Sequence, residues 1–113
     1  MKLRQKELDG GIVVFEIEGN IIGGPDAMGF NDELQKLIGK GKNKFVLDMK
    51  SVEHINSSGL GILIASLNAV HQVNGNLKVA NVSPRVFDLL KITKLNQIFE
   101  LHESVEDAVK ALA

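Results

Sequence analysis

A pair of serines, Ser57 and Ser58, is the feature of the sequence with the clearest chemical potential. The pair stands just before an apolar segment with helical spacing and is followed by Gly59 and Gly61, so both hydroxyls are expected where a helix begins. The first turn of a helix has backbone N–H groups without intrahelical partners and a partial positive charge. A hydroxyl at this position can therefore cap the helix, or it can carry a phosphate.

A short buried strand is expected before the serines. The run from Lys44 to Asp48 is mainly apolar, which indicates a strand with Asp48 at its carboxyl end. α/β proteins usually place their sites at this edge of the sheet. We therefore expect Asp48 to support the site by anchoring the connection to the serine turn, with ordinary loop hydrogen bonding as the alternative.

The stretch from Asp48 to Gly61 resembles the signature of the STAS domain, a family named for sulphate transporters and anti-sigma factor antagonists. The resemblance covers nearly the whole chain in element order, and this stretch is its specific part. The matching positions after Asp48 are Val52, Ile55 and the run Asn56-Ser57-Ser58-Gly59-Leu60-Gly61. In antagonists of this family the serine directly before the first glycine is phosphorylated by a partner kinase. That position is Ser58 here, and Ser57 is the alternative acceptor.

The resemblance implies an anti-sigma factor antagonist that changes partner when it is phosphorylated. The unphosphorylated chain would bind an anti-sigma factor serine kinase and thereby release a sigma factor. Phosphorylation would add about −1.5 to −2 charges and end binding, and a serine phosphatase would restore it. Close approach of the partner to the serine hydroxyl would explain the small glycines. The residues expected to contact the partner are Asn56, Ser57, Gly59, Leu60 and Gly61.

Two positions depart from the family pattern. Many antagonists read Gly-x-Leu-Asp before the first helix, and the matching position here is Ile22, which has no carboxylate; Asp26 or Asp32 could replace it in space. Many also carry Asp directly before the serines, where this chain has Asn56. The glycine-rich connection over residues 19–25 could form a different partner surface, or it could be a flexible loop without a special role.

The main alternative function is a non-switching STAS scaffold, either in a stress-signalling assembly or as an accessory subunit of a membrane transporter. A small serine hydrolase is a weaker alternative. His54 lies four residues before Ser58, but the chain lacks the Gly-x-Ser-x-Gly elbow and an obvious third member. His71 and His102 have no metal-ligand spacing, and the usual nucleotide-binding motifs are absent. The sequence thus predicts a protein that is not an enzyme and needs no cofactor or metal.

Composition favours one intracellular domain over residues 1–113. The chain is 44% hydrophobic and 24% charged, so it can build a core. Its 13 basic residues are dispersed and balanced by 14 acidic ones, which argues against a nucleic acid partner. There are no cysteines, the amino terminus is too polar for a signal peptide, and no segment is long enough for direct membrane insertion. A cytoplasmic location is expected.

The remaining pattern alternates strands with helices, which predicts an α/β fold: a single-domain STAS-like fold with a small mixed four- to five-stranded sheet flanked by about four helices. In the second strand, one face is apolar and the other is half polar, so the latter is expected to be partly exposed. The strands expected besides the central one span Leu3–Leu8, Ile12–Glu18, Leu77–Val82 and Ile98–Leu101. The expected helices are one ending at Gly39 or Gly41, one over Ser58–Val73, one capped by Ser83 and one capped by Ser104.

Overall fold

A mixed five-stranded sheet lies at the centre of the protein. The computed structural model describes residues 1–112. The strands follow one another across the sheet in chain order: β1 (Lys2–Leu8), β2 (Ile12–Glu18), β3 (Lys44–Ser51), β4 (Asn76–Ala80) and β5 (Glu100–His102). The helices are α1 (Pro25–Gly39), α2 (Ser57–Gln72), α3 (Pro84–Ile92) and α4 (Val105–Leu112). The predicted α/β fold is confirmed, with the sheet and helix numbers expected from the sequence.

The two faces of the sheet are covered unequally. Alternate residues of β2, such as Val13 and Phe15, belong to the larger core beneath α1, α2 and α3. The ring of Phe15 meets that of Phe30 edge to face, with centroids 5.2 Å apart. On the opposite face Ile12 and Val14 pack with α4 and are buried. The expected partial exposure of this face is confirmed at its polar positions, because Glu16 is half-buried and Glu18 is exposed, whereas α4 covers the apolar ones.

Two elements near the end of the chain begin or end elsewhere than predicted. β4 stops at Ala80 instead of Val82, because Asn81 adopts a φ of 60° and turns the chain out of the strand. A short 3-10 turn follows Lys94, which has a φ of 62°. Ile98 consequently lies outside the sheet, and β5 begins at Glu100 instead of Ile98.

The parallel pairing of β2, β3 and β4 brings three connections to one edge of the sheet. Because β2 pairs with β3 and β3 with β4 in parallel, the loops that leave their carboxyl ends lie side by side. A further bridge between Ile21 and Ile55 extends the β2–β3 pairing beyond the strands. The start of α1 is thereby fixed next to the start of α2, where the serine pair stands.

A buried lysine on the α4 side of the sheet is a feature that the sequence pattern did not reveal. Lys78 in β4 is only 6% exposed, although it stands in an otherwise apolar strand. Its ammonium group donates a hydrogen bond to Glu100 of β5. This contact is the main cause that lowers the pKa of the Glu100 carboxyl below its ordinary value of 4.5. The pair therefore carries opposite charges at neutral pH, which satisfies the buried ammonium.

Candidate functional site

The start of α2 leaves both serine hydroxyls free of the capping role. The helix begins at Ser57, one residue earlier than predicted, and its N-cap is Asn56. The side-chain oxygen of Asn56 accepts a hydrogen bond of 2.8 Å from the backbone N–H of Gly59. Ser57 and Ser58 occupy the first turn, and both are exposed. Of the two structural caps considered from the sequence, Asn56 is the one that the helix uses.

Asn56 also connects the β2–α1 loop to the start of α2. Its Oδ1 atom accepts a second hydrogen bond, of 3.3 Å, from the backbone N–H of Gly23. The backbone N–H of Asn56 donates to the carbonyl oxygen of Ile21 at 3.1 Å, and the N–H of Ile21 donates to the carbonyl of His54 at 2.9 Å. The glycine-rich connection is thus hydrogen-bonded to Asn56, through both its backbone and its side chain, and to His54.

Removing the side-chain oxygen of Asn56 should therefore cost stability. Asn56→Ala is expected to lower the free energy of unfolding by about 1 kcal/mol, the typical effect of losing an N-cap acceptor. Urea denaturation followed by circular dichroism measures this change. Asn56→Asp is the matched control, since its side chain keeps an oxygen that can accept both hydrogen bonds and adds a negative charge at a helix start. Equal stability of the alanine variant and the wild type would contradict the capping role.

Close backbone packing explains the first glycine of the serine motif. A Cβ atom added at Gly59 would lie 2.2 Å from the carbonyl oxygen of Ile21, which no side chain can tolerate without movement of the backbone. A Cβ atom at Gly23 would likewise lie 2.4 Å from the Cβ atom of Ser58. The fold itself therefore requires a small residue at position 59, and the partner approach expected from the sequence stays a prediction.

The residues expected to contact a partner divide into a surface set and a buried set. Asn56, Ser57 and Gly61 are exposed, and a Cβ atom at Gly61 would meet nothing within 4 Å. Gly59 and Leu60 are buried, and the Leu60 side chain belongs to the main core. Gly59 packs against the backbone of Ile21, and Leu60 anchors α2 in the core, so a contact of either residue with a partner stays a prediction.

Asp48 lies within β3 and on the side of the sheet away from α2. The strand continues to Ser51, so the prediction that Asp48 marks its carboxyl end was wrong. Its Oδ1 atom accepts hydrogen bonds from the backbone N–H of Lys50 at 3.1 Å and from Nδ2 of Asn81 at 3.0 Å. Asp48 therefore joins β3 to the connection that follows β4. A supporting role for the serine turn stays a prediction.

Two acidic residues were considered as substitutes for a carboxylate at position 22. Asp26 lines the same cavity of about 220 Å³ as Ile22 and Gly23. Its carboxylate pairs with the terminal amino group of Met1 at 3.4 Å. Asp32 lies two turns further along α1 and is exposed. Asp26 is thus the acidic residue near Ile22, and its carboxylate is engaged with another group.

The three histidines lie on different elements of the fold. The ring of His54 hydrogen-bonds to Arg85, with 2.8 Å between Nε2 and the guanidinium, so its contact is with α3. His71 is exposed in the last turn of α2, and His102 stands 3.5 Å from Glu100. Within residues 1–112 no three His, Cys, Asp or Glu side chains are grouped closely enough to hold a metal ion.

Among residues 1–112, no helix combines the length and the apolar character that a membrane span requires.

The fold and the exposed serines at the start of α2 define an α/β domain with a candidate modification site at one sheet edge. The family description "STAS domain" matches residues 4–108. This chain belongs to the STAS domain family, as its serine motif suggested.

Individual proteins and solved structures are similar to this chain along nearly its whole length. BtrV of Bordetella bronchiseptica, described as an anti-sigma factor antagonist, is 28% identical over 111 residues, which cover 98% of this chain and 94% of BtrV. A Thermotoga maritima structure with the same description superimposes with a TM-score of 0.89 at 22% identity, covering 97% of this chain and 93% of that one. The structure of the Bacillus protein SpoIIAA in its phosphorylated form superimposes with a TM-score of 0.78 at 15% identity. The match covers 99% of this chain and 100% of that one. Both structural likenesses establish the shared fold.

Proposed function

We propose that this protein is an anti-sigma factor antagonist whose partner choice is controlled by phosphorylation of Ser58. In its unphosphorylated form it binds an anti-sigma factor serine kinase, which releases a sigma factor. Phosphorylation by that kinase ends binding, and a serine phosphatase resets the cycle. Membership of the STAS family and the description of BtrV as an anti-sigma factor antagonist support the proposal. The switch operates in the cytoplasm, where the kinase has access to ATP.

The exposure of Ser58 at the start of α2 is the observation that carries the proposal. Because Asn56 caps α2, a phosphate on Ser58 would displace no capping contact. The helix start offers backbone N–H groups and a partial positive charge, which favour a phosphate at this position. The fold can therefore accept the modification without rearrangement. Ser57 shares the exposure and the helix start, and it is the alternative acceptor.

The change in the surface is one of charge and bulk. A phosphoserine adds about −1.5 to −2 charges and three acceptor oxygens. At an interface that must lose its water, such a charge without a partner is strongly unfavourable. The phosphorylated chain thus leaves the kinase although its backbone stays in place. This is a local electrostatic switch that is read by another protein.

The chemistry of the cycle belongs to the partner enzymes. The kinase transfers the γ-phosphoryl group of ATP to Oγ of Ser58, ADP leaves, and the hydroxyl proton passes to a base of the kinase. The phosphatase hydrolyses the phosphoester with water and restores the serine and free phosphate. The antagonist contributes an accessible hydroxyl and a surface that both enzymes can reach, so it needs no catalytic group of its own.

A kinase reaction followed by peptide mapping tests this function. The chain is incubated with an anti-sigma factor kinase that binds it and with ATP, and the modified residue is located by mass spectrometry. We expect one phosphate, on Ser58, that is absent from Ser58→Ala and retained in the matched variant Ser57→Ala. Modification of Ser57 alone would identify Ser57 as the phosphate acceptor in place of Ser58. No modification of either serine by a kinase that binds the chain would instead favour the non-switching scaffold.

A further inference from the structure

The chain contains one Asp-Gly pair and one Asn-Gly pair, and both stand in turns. Asp9-Gly10 lies in the hairpin between β1 and β2, and Asn74-Gly75 lies between α2 and β4. In such pairs the backbone nitrogen of glycine can attack the side-chain carbonyl carbon of the preceding residue, because glycine has no side chain that blocks the approach. The sequence alone ranks the Asn-Gly pair first, since an ionised carboxylate is a poorer electrophile than a neutral amide.

The first chemical step is the same in both pairs. The glycine nitrogen forms a bond to the side-chain carbon and loses its proton, which gives a cyclic succinimide. Water leaves from a protonated aspartic acid, and ammonia leaves from asparagine. Water then opens the ring at either carbonyl, and opening at the backbone carbonyl yields isoaspartate, in which the main chain passes through the former side chain. The reaction thus requires a free glycine N–H and space in which the ring can close.

The Asp9-Gly10 pair meets both requirements. Both residues are exposed, and a Cβ atom added at Gly10 would meet nothing within 4 Å. Within residues 1–112, the N–H of Gly10 donates no backbone hydrogen bond. Gly10 and the following Gly11 have φ values of 85° and 76°. The hairpin therefore presents an open nitrogen, and its two glycines leave the backbone free to rotate towards the Asp9 side chain.

The Asn74-Gly75 pair meets neither requirement. The N–H of Gly75 donates a hydrogen bond of 2.9 Å to the carbonyl of Val70. The N–H of Asn74 donates one of 3.0 Å to the carbonyl of His71, which completes a Schellman cap at the end of α2. Gly75 is buried, and a Cβ atom added to it would lie 2.5 Å from the carbonyl oxygen of Asn43. Attack on the Asn74 side chain therefore requires this cap to open first.

We propose that Asp9 is a site of spontaneous isoaspartate formation in the folded protein, and that the cap of α2 protects Asn74 from the same reaction. The fold thereby suppresses the pair that the sequence ranks first. Isoaspartate would insert one additional carbon atom into the main chain of the hairpin, beside the Leu8–Ile12 pair that ends the ladder of β1 and β2. This turn lies at the opposite end of β2 from the loop that leads to α1, and the inference is independent of the proposed function.

Incubation of the folded protein, and of the same chain unfolded in guanidinium chloride, tests the inference at neutral pH and one temperature. Peptide mapping by mass spectrometry locates the products, and methyl transfer from S-adenosylmethionine by an isoaspartyl methyltransferase counts the isoaspartate. We expect folding to slow the deamidation of Asn74 by at least about tenfold, because a structured cap must open before it reacts. The rate of isoaspartate formation at Asp9 should change by less than about threefold, since an exposed turn opens at little cost.

Asp9→Glu is the matched control, because it keeps the charge but would have to close a larger ring, which is slower. This variant should lose the methyl-accepting site of the hairpin, and circular dichroism checks that it stays folded. Isoaspartate that forms at Asp9 only in the unfolded chain would overturn the inference. Equal rates of Asn74 deamidation in the folded and unfolded chains would overturn the protective role of the cap. Full retention of methyl transfer by folded Asp9→Glu would place the reaction at another residue and would also contradict the proposal.

Discussion

Ser58→Asp is expected to weaken binding of the anti-sigma factor kinase by at least about 100-fold. An uncompensated charge at a protein interface costs several kcal/mol, and each 1.4 kcal/mol corresponds to a factor of ten in Kd. Aspartate carries less charge than phosphoserine, so its effect is a lower bound for that of the phosphorylated protein. Surface plasmon resonance with immobilised kinase, for the wild type, the variant and the phosphorylated wild type, measures these affinities.

Folding of the aspartate variant should be unimpaired, which separates lost binding from lost structure. An acidic residue in the first turn of a helix is stabilising by about 0.3–1 kcal/mol, and Ser58 is exposed. The free energy of unfolding should therefore equal or exceed that of the wild type. A melting temperature far below the wild-type value would show instead that Ser58 has a packing role.

Two control substitutions separate charge from size. Ser58→Asn has nearly the volume of the aspartate variant without its charge, so any remaining loss reports bulk alone. Ser58→Ala removes the acceptor and should bind the kinase like the wild type, both before and after incubation with ATP. Equal affinities for Ser58→Asp and Ser58→Ala would count against electrostatic switching at this position.

Local sequence rules located the start of α2 because the relevant signals are themselves local. A polar residue before an apolar helical run indicates a cap, and the start of α2 was predicted within one residue. The order of strands and helices followed from hydrophobic periodicity in the same way. The serine motif then indicated the STAS family, and the match over residues 4–108 confirms this assignment.

Features that depend on contacts between distant segments were not foreseen. The contact between Gly23 and Ser58 joins the β2–α1 loop to the first turn of α2, and these segments are brought together by the parallel pairing of β2 and β3. Nothing in the local pattern of this strand indicates the buried ion pair of Lys78, because its partner Glu100 lies 22 residues away. Asn81 ends β4 in a left-handed conformation that the apolar run around it does not indicate. In each case the sequence supplies the residue, and the tertiary fold decides what it does.

The sequence motif singles out Gly59, but the structure gives a different physical reason for this glycine from the one that the sequence suggested. Two glycines in the first turns of α2 should each cost about 1 kcal/mol relative to alanine, and partner approach was the compensation inferred from the sequence. The structure separates them, since Gly59 is in contact with the backbone of Ile21 and Gly61 faces open space. Only one of the two glycines is therefore required for folding.

Gly59→Ala is expected to lower the free energy of unfolding by about 3 kcal/mol, at the upper end of the usual cost of overpacking. The added Cβ atom would lie 2.2 Å from the carbonyl oxygen and 2.8 Å from the carbonyl carbon of Ile21. Ile21 cannot easily retreat, because its side chain is 2% exposed and its backbone is hydrogen-bonded to His54 and Asn56. Urea denaturation should show the midpoint shift to lower concentration.

Gly61→Ala is the matched control and should change stability in the opposite direction. It lies on the same helix two residues later, and an added Cβ atom there meets nothing within 4 Å. Alanine should thus stabilise α2 by about 0.5–1 kcal/mol through its higher helix propensity. Loss of stability of similar size in both variants would contradict the packing explanation and would point to a shared requirement of the turn. Because Gly61 is exposed, its variant also reports on the partner: a chain that folds more stably yet binds the kinase more weakly would place the partner's surface directly against the second glycine.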